Sequence, residues 1–493
     1  MYICLEDQTF QNFISAKNYL VINLFSIGNL FRKEILFFFV KIFHWTTIKN
    51  KIESDMKMKK SVVFGAFFAC ISLSAVAQES KYISVDEAVE TAIKNNSNVK
   101  LADFDTKIAN ANYHQTDAVF LPQVTLDYTA LTTNNPLNAF GFLLQHRDVT
   151  AADFDPATLN HPDASQDYSA KAEVKLPLLN MDMIYARKGA KMQEEVYKYK
   201  KQRTSEYIEF EVKKAYSQLQ FSYQARDVLK KSLEDVKQIY QSVNNFYAQG
   251  LVQKSDVLNA QVQVNIVETA LAKAESNIQN ASDGLKLLMG MEMDGTTFTA
   301  DPQIQKSLLP TANSVSTTRS DLMALGKAVD ASNWMVKSAK MTLLPRINAF
   351  GSYQFNDSKP LNFGSDSYLL GINLSWTIFS GNQNQNKVKS YRFQRDRMAE
   401  ELNQQKSQSQ LELNKTKRDL NDSQVEINKQ QASVSQADEA LRITSNRFKE
   451  GLANTTDLLM AQAQVSKQQL QLAQAVMSYN ITQSYLEFIT KSE

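Results

Sequence analysis

The chain has 493 residues, of which 43% are hydrophobic and 22% are charged, and its formal net charge is +2. This balance excludes a disordered chain, and the nearly neutral charge gives no reason to expect a nucleic-acid partner. Only 14 Gly and 9 Pro occur, so turn-forming residues are scarce and long uninterrupted elements are expected.

The first residues with a recognisable pattern form a targeting signal. Residues 56–60 (MKMKK) are basic, residues 61–73 are apolar, and residues 75–77 (AVA) provide a small-x-small cleavage site, so residues 56–77 are assigned as a secretory signal peptide. A signal peptide does not function well 55 residues inside a chain. Residues 1–55 are therefore expected to be translated from a start codon upstream of the true one, at Met56 or Met58.

Two alternatives concern this same region. A membrane anchor over residues 20–40 is interrupted by Arg32, Lys33 and Glu34, which leaves fewer apolar residues in a row than the roughly 20 that a membrane span requires. Cys4 and Cys70 both precede the predicted cleavage site, so the mature chain would contain no thiol. A lipidated Cys70 is the alternative to removal of that residue with the signal peptide.

The part of the chain after the predicted signal peptide consists of two similar copies. Residues 120–130 (FLPQVTLDYTA) resemble residues 343–353 (LLPRINAFGSY), and residues 172–180 (AEVKLPLLN) correspond to residues 372–380 (INLSWTIFS). Each copy is predicted to contain short helices, a strand, a loop, a second strand, a very long helix and a returning helix. The domain boundaries that follow are 78–293 for the first copy, 294–318 for a Thr-, Ser- and Pro-rich linker, and 319–493 for the second copy.

The predicted strands alternate apolar with polar residues over about ten positions, the length of a transmembrane β-strand. The apolar positions are Val124, Leu126, Tyr128 and Ala130, then Tyr168, Ala170, Ala172, Val174 and Leu176, then Tyr368, Leu370, Ile372, Leu374, Trp376 and Ile378. The same alternation is typical of a half-buried antiparallel sheet in a soluble protein. The strand pattern alone leaves both interpretations open.

Residues 183–249 and 385–450 contain no Pro and a single Gly, so each segment predicts one helix of about 65 residues and on the order of 100 Å. A narrow seam with coiled-coil spacing runs along the first helix, and a thinner one along the second. Their members are Leu229, Leu233, Val236, Tyr240, Val243 and Tyr247, then Val434, Ala437, Leu441 and Phe448. Helices with narrow seams and polar surfaces elsewhere are suited to the wall of a hollow tube.

A similar sixteen-residue segment spans the end of each long helix: FYAQGLVQKSDVLNAQ at 246–261 and RFKEGLANTTDLLMAQ at 447–462. Each segment predicts the tip of a helical hairpin. Gly250 and Gly451 are expected to end the long helices in a left-handed conformation. Ser255 and Thr456 are expected to be N-caps of the returning helices, with Asp256 and Asp457 in the first turn. The neighbouring Leu251, Val252, Leu452 and Ala453 are expected to be exposed and to form a docking surface.

The residues give little support to an enzyme. His114, His146 and His161 are the only histidines after the signal peptide, and neither a phosphate-binding loop nor a nucleophile motif occurs. A metal site can be imagined from His146 and His161 with Asp153, Asp155 and Asp163, but their spacing favours an extracellular loop over residues 132–167. The apolar residues Phe140, Phe142, Leu143 and Leu144 in that loop are expected to pack over the mouth of a barrel.

From residues 84–96 (SVDEAVETAIKNN) to the last helix, and above all in the paired Gly-Leu hairpins, the chain resembles the TolC family of outer-membrane efflux proteins. The resemblance implies an α+β membrane protein that assembles as a homotrimer. Each protomer would give four β-strands to a 12-stranded transmembrane barrel, continued by a long periplasmic coiled-coil barrel of α-helices. It also implies a location in the outer membrane of a Gram-negative bacterium, in contact with lipid.

The resemblance assigns roles at the hairpin tips. Gly250, Leu251 and Val252, together with Gly451, Leu452 and Ala453, would receive a periplasmic adaptor protein. The tunnel entrance would be formed by Ser255, Asp256, Phe448, Asp457 and Met460. Three copies of Asp457 would favour cations there. Met460 replaces a second acidic residue of the family, and Phe448 and Ala453 replace the tyrosine and arginine that latch the entrance, so a weaker or apolar closure is expected.

The function implied is a passive exit duct for small molecules, driven by an inner-membrane pump of the RND, ABC or MFS type through the adaptor. No cofactor, metal ion or catalytic residue is expected. One alternative within the same class is the exit duct of a type I protein secretion system. An alternative from a different class is a periplasmic coiled-coil scaffold or adaptor whose strands form a soluble sheet. A duplicated chain with apolar, aromatic-ended strands favours the channel over the scaffold.

Overall fold

A computed structural model describes residues 80–301 and 315–492 of the chain. The predicted extension, the signal peptide with Cys70, and the central part of the linker lie outside the described residues. None of the helices in the described ranges combines the length and the apolarity that a membrane span requires.

The first copy contains the predicted helices and strands in the predicted order, together with further short elements. In chain order the elements are β1 (Ser80–Tyr82), α1 (Val85–Asn95), α2 (Ser97–Gln115), β2 (Gln123–Thr133), α3 (Pro136–His146), α4 (Pro156–Asn160), β3 (Ser165–Leu179), α5 (Met181–Ala248) and α6 (Lys254–Met289). Strand β1 was not predicted. The loop between β2 and β3 thus includes two helices, which the sequence analysis did not predict.

The second copy repeats the order with fewer elements in its described part. After β4 (Thr297–Thr299) come α7 (Ser320–Met341), β5 (Arg346–Asp357), β6 (Ser365–Ser375), α8 (Gln383–Lys449) and α9 (Thr455–Thr490). The single helix α7 stands where the first copy has α1 and α2.

The linker region is partly structured. Strand β4 pairs in parallel with β1, and Phe298 at its centre is only 1% exposed. Two tyrosine hydroxyls of α5 fix this small sheet: Tyr216 donates to the carbonyl of Ile83, and Tyr223 donates to the carbonyl of Phe298. The start of the first copy is therefore tied to the segment that follows it.

Strands β2, β3, β5 and β6 form one antiparallel sheet in that order. In the register, Thr125 lies opposite Glu173, and Ala170 lies opposite Phe355. Strand β6 ends at Ser375, so the predicted continuation of the alternation to Ile378 is wrong, because the chain leaves the ladder three residues earlier. Within the described residues, β2 and β6 each have one edge without a partner strand.

The two faces of this sheet differ in polarity. One face carries exposed apolar side chains on both edge strands: Val124, Leu126 and Tyr128 on β2, and Tyr368, Leu370, Ile372 and Leu374 on β6. The opposite face carries Lys171, Glu173 and Lys175 of β3, which form ion pairs among themselves. A sheet with an outward apolar face and an inward polar face is typical of a barrel wall in a membrane.

The long helices confirm the sequence prediction to within two residues at each end. Helix α5 has 68 residues and α8 has 67, so each is on the order of 100 Å long at about 1.5 Å per residue. Helix α5 packs against α6, α7 and α9, and α8 packs against α7 and α9. The returning helices, at 36 residues each, cover only about half of their long partners.

Every residue of the predicted seams is buried or half-buried, except Tyr247. Val236 and Val243 are 1% and 0% exposed, and Ala437 and Phe448 are also buried. Tyr247 is 41% exposed, and the Lys254 ammonium lies 5.2 Å from the centre of its ring. The seam stops short of Tyr247 because the chain turns just after it.

The buried residues form several small clusters along the helices, so no single core stabilises them. A polar hub supplements them where three helices meet. Arg319, 1% exposed, donates to both carboxylate oxygens of Asp321, to the hydroxyl of Ser409 and to the carbonyl of Ile489. Because these partners lie on α7, α8 and α9, one guanidinium fixes the relative position of three helices.

A second polar contact fixes α2 against α5. The Glu194 carboxylate of α5 accepts from Asn110 of α2 at 3.2 Å, and it pairs with Lys191 and Lys198 at 2.8 and 3.0 Å. Burial of Glu194 opposes its ionisation, but these three donors outweigh that effect and lower its pKa from 4.5 to about 2. The ionised form is therefore favoured in the folded protein.

This pKa predicts a pH-dependent contribution to stability. Since the folded protein holds the pKa of Glu194 below its ordinary value, its stabilisation is present above pH 4.5 and is lost as the pH falls towards 2. Glu194→Gln should lower the free energy of unfolding by about 1–2 kcal/mol at pH 7, and the difference should vanish near the folded pKa. Thermal unfolding across this pH range measures the difference in unfolding free energy. The control is Glu195→Gln, which changes a more exposed glutamate. If the difference in unfolding free energy caused by Glu194→Gln does not change with pH, the lowered pKa assigned to Glu194 is wrong.

Candidate functional site at the hairpin tips

Both long helices end in the same hydrogen-bonded turn. The amides of Gly250 and Leu251 donate to the carbonyls of Tyr247 and Phe246, at 2.9 Å each. In the second copy, Gly451 and Leu452 donate in the same way to Phe448 and Arg447. This is the Schellman arrangement, which requires a left-handed residue after the helix.

The two glycines have the predicted conformation. Gly250 and Gly451 have φ values of 75° and 71°, in the region that glycine adopts without a steric penalty. A Cβ atom at either position would meet no atom within 4 Å, so backbone conformation alone explains these two glycines within a protomer.

The predicted N-caps are wrong by two residues. Helix α6 begins at Lys254 with Gln253 as its N-cap, and α9 begins at Thr455 with Asn454 as its N-cap. Ser255 and Thr456 therefore lie in the first turn. Ser and Thr are typical N-cap residues, but the Schellman turn takes two residues after each glycine, and the helix then begins immediately.

The two caps use the predicted aspartates in a reciprocal arrangement. The Asp256 carboxylate accepts from the Gln253 amide at 3.0 Å, and the Asp457 carboxylate accepts from the Asn454 amide at 3.4 Å. The Asp457 amide donates to the Asn454 side chain at 2.8 Å. This is a capping box with Asp at its third position. Asn454 was recognisable in the sequence as an N-cap type three residues before Asp457, whereas Gln253 gave no such signal.

The four apolar tip residues divide into two pairs. Leu251 and Leu452 are 67% and 68% exposed, as predicted. Val252 and Ala453, also predicted to be exposed, are half-buried and pack against a cluster beneath the tips. The predicted docking residues that remain exposed are therefore two leucines, one on each hairpin.

The cluster beneath the tips joins the two hairpins. Val243 and Val257 of the first copy are buried with Phe448 and Leu458 of the second, and the rings of Phe246 and Phe448 lie 5.5 Å apart. The structure thus brings the two copies of the sixteen-residue segment side by side. Phe448, predicted as an entrance residue, is 6% exposed and contributes to this packing within one protomer.

Three of the four remaining predicted entrance residues are exposed at the tips of the protomer. Asp457 and Ser255 are exposed, Asp256 is half-buried, and Met460 is 65% exposed. Met460 and Asp457 are three residues apart on α9, so they lie on the same side of that helix.

Three residues of the imagined metal site, His146, Asp153 and Asp155, make hydrogen bonds within the protein. Asp153 caps a short 3-10 helix through Thr150, and Asp155 caps α4 through the amide of Ala157. His146 contacts Asp167, which lies outside the imagined set. Among the described residues, no three His, Cys, Asp or Glu side chains form a cluster that could hold a metal ion.

Comparison with known proteins agrees with this architecture. The sequence matches the outer membrane efflux protein family over residues 88–291 and 312–490. A comparison with curated proteins found no match.

Several solved structures share the fold. The outer membrane channel CmeC of Campylobacter jejuni aligns with a TM-score of 0.71 and 16% identity, over 88% of this chain and 94% of CmeC. CusC aligns with a TM-score of 0.70 and 15% identity, over 85% of this chain and 96% of CusC. The outer membrane protein VceC of Vibrio cholerae gives 0.67 and 18%, over 83% of this chain and 96% of VceC.

The family match covers well over half of the chain, and it favours the channel over the coiled-coil scaffold. The fold predicted from the resemblance is confirmed, and family membership implies assembly as a trimer. A channel of this kind carries out no chemical reaction on what passes through it. The chain belongs to the outer membrane efflux protein family, and it is a TolC-like outer-membrane efflux channel with a helical extension into the periplasm.

Proposed function

We propose that three copies of this chain form the exit duct of a tripartite efflux system for small molecules. In this proposal the hairpin tips bind a periplasmic adaptor protein, which connects the duct to an inner-membrane pump of the RND, ABC or MFS type. The observation that carries the proposal is the pair of exposed leucines, Leu251 and Leu452, at equivalent positions of two adjacent tips.

The leucines suit a binding surface better than a structural role. In a Schellman turn, the residue after the glycine commonly packs against the last turn of the preceding helix. Here Leu251 and Leu452 remain two-thirds exposed, while Val252 and Ala453 fill the space beneath. Exposed leucines in a fixed turn, on two neighbouring hairpins, match a partner that presents the apolar face of a helix.

The four-stranded sheet supports the proposal that this end of the protein lies in the outer membrane. Its apolar face is exposed in one protomer, and lipid would cover that face. The unpaired edges of β2 and β6 would pair between neighbouring protomers, because three four-stranded sheets joined in this way make a closed barrel of twelve strands. Closure leaves no backbone group without a hydrogen-bond partner in lipid.

We also propose that the tunnel entrance depends on apolar packing in place of ionic contacts between protomers. Phe448 is buried against Phe246, and Ala453 packs on the same cluster, so neither provides a polar group at the tip surface. Asp457 is exposed, and three copies of it around the axis would attract cations to the entrance.

Replacement of both tip leucines tests the docking surface. Leu251→Asp with Leu452→Asp should reduce adaptor binding at least tenfold and abolish export of a fluorescent efflux substrate, because six carboxylates would face an apolar partner. The measurements are adaptor pull-down from an outer-membrane fraction and dye efflux from cells that lack their own exit duct.

The matched control is Leu287→Asp, which changes a leucine of equal exposure (68%) near the far end of α6. Chemical crosslinking should detect a trimer in all variants. Normal adaptor binding by the double variant, with its trimer intact, would refute the docking role of these leucines.

A second test addresses Asp457. Asp457→Asn should reduce the preference for cations over anions severalfold, because it removes three negative charges from the constriction. The reversal potential of purified trimers in a planar bilayer, under a KCl gradient, measures this preference. Asp438→Asn, an exposed aspartate on α8, is the control. An unchanged reversal potential in Asp457→Asn would place this carboxylate away from the conducting path.

A further inference from the structure

Helix α3 (Pro136–His146) lies at the end of the sheet that is remote from the hairpin tips. Strand β3 begins at Ser165, just after the loop that contains α3, and its other end leads into α5. Since the long helices extend into the periplasm, the loop with α3 lies at the outer mouth of the channel.

Helix α3 is attached to the polar face of the sheet. His146 Nε2 lies 2.9 Å from an oxygen of Asp167, and the Asn356 amide donates to that same oxygen at 2.9 Å. The side chains of His146 and Asp167 are 5% and 4% exposed. Asp167 belongs to the row of β3 side chains that includes Ser169 and the charged residues beyond it, so this contact places α3 on the side that faces the lumen of a barrel.

Two further contacts fix α3 in place. The Ser365 hydroxyl of β6 donates to the carbonyl of Gln145, and the Arg147 guanidinium donates to the carbonyl of Asp366. Together with Asp167 and Asn356, these partners lie on three of the four strands. The helix is therefore a fixed part of the lumen wall.

The opposite side of α3 is apolar and uncovered. Leu137 and Leu144 are 81% and 56% exposed. Each lies two residues, or about 200°, from a buried residue, Ala139 or His146, so both leucines point away from the sheet and towards the barrel axis. This face carries no charged side chain, so like copies of it would not repel each other.

Gly141 lies between these leucines and has no explanation within one protomer. Its φ is not positive, and a Cβ atom there would meet nothing within 4 Å. A glycine inside a helix costs about 1 kcal/mol relative to alanine. A small residue on an exposed helix face allows another helix to approach closely.

The size of the barrel allows copies of α3 to touch. Twelve strands about 4.8 Å apart and tilted by about 40° enclose a barrel roughly 24 Å across between backbones. A helix with its side chains is about 10 Å wide. One helix from each of three protomers would fill most of that width.

We propose that the α3 helices of three protomers meet on the axis through Leu137, Gly141 and Leu144 and close the outer mouth of the channel. The occupant of this apolar face is then the same face of the other two copies. The inference rests on the proposed trimer, and it adds a second constriction to the one at the periplasmic entrance.

Disulfide crosslinking tests the contact directly, because the described residues contain no cysteine. Leu144→Cys should give an oxidised dimer of protomers in at least fivefold higher yield than Leu361→Cys, a control on the β5–β6 loop whose leucine is 74% exposed. Adding Gly141→Leu should reduce the Leu144→Cys yield to the control level, because the larger side chain separates the helices, and a Cβ atom at this position meets no atom of its own protomer within 4 Å.

Conductance provides the functional readout. Leu137→Asp with Leu144→Asp should raise the single-channel conductance of the trimer at least twofold. Both channels compared carry Phe448→Ala, which removes the apolar packing proposed above to hold the periplasmic entrance. If the trimer forms but Leu144→Cys crosslinks no better than Leu361→Cys, the outer closure is refuted while the exit duct stands. Failure to form any trimer would refute the exit duct and this inference together.

Discussion

The incomplete sheet is the constraint on which the rest of the structure depends. Within the part of the chain that the structure describes, strands β2 and β6 each have an edge whose backbone groups lack a partner strand, and one face of the sheet is apolar. In lipid, each unpaired backbone group costs several kcal/mol, so the sheet is stable only as part of a closed ring. For this reason the sheet can be stable in the membrane only if the trimer assembles.

The long helices are stabilised in a different way from the sheet. Each long helix is too extended for a single core, and its buried side chains form small clusters along a narrow seam. Polar hubs such as Arg319 and Glu194 then fix the helix positions at intervals. This distribution leaves most of each helix polar, which a wall with water on both sides needs.

Duplication of the sequence explains why each protomer has two hairpin tips, whereas it has only one helix, α3, at the outer mouth. Both copies keep the glycine turn and the capping box, so Leu251 and Leu452 occupy equivalent positions on adjacent hairpins. Only the first copy has an extended loop between its strands, with α3 folded onto the polar face. The trimer would present six tips to an adaptor but only three helices at the outer mouth.

The sequence alone determined the order of the sheet strands, the long helices and the returning helices, because hydrophobic period and scarcity of Gly and Pro are local properties. It did not predict β1, β4 or the helices α3 and α4. It located both long helices and both left-handed glycines, but it misplaced the N-caps at Ser255 and Thr456, since residue preference does not count the residues that a turn consumes. The tertiary structure decided what depends on distant residues. It placed Phe448 beneath the tip rather than on it, paired His146 with Asp167, and set α3 on the polar face of the sheet. Those outcomes follow from packing between segments far apart in the chain, which local sequence preference does not encode.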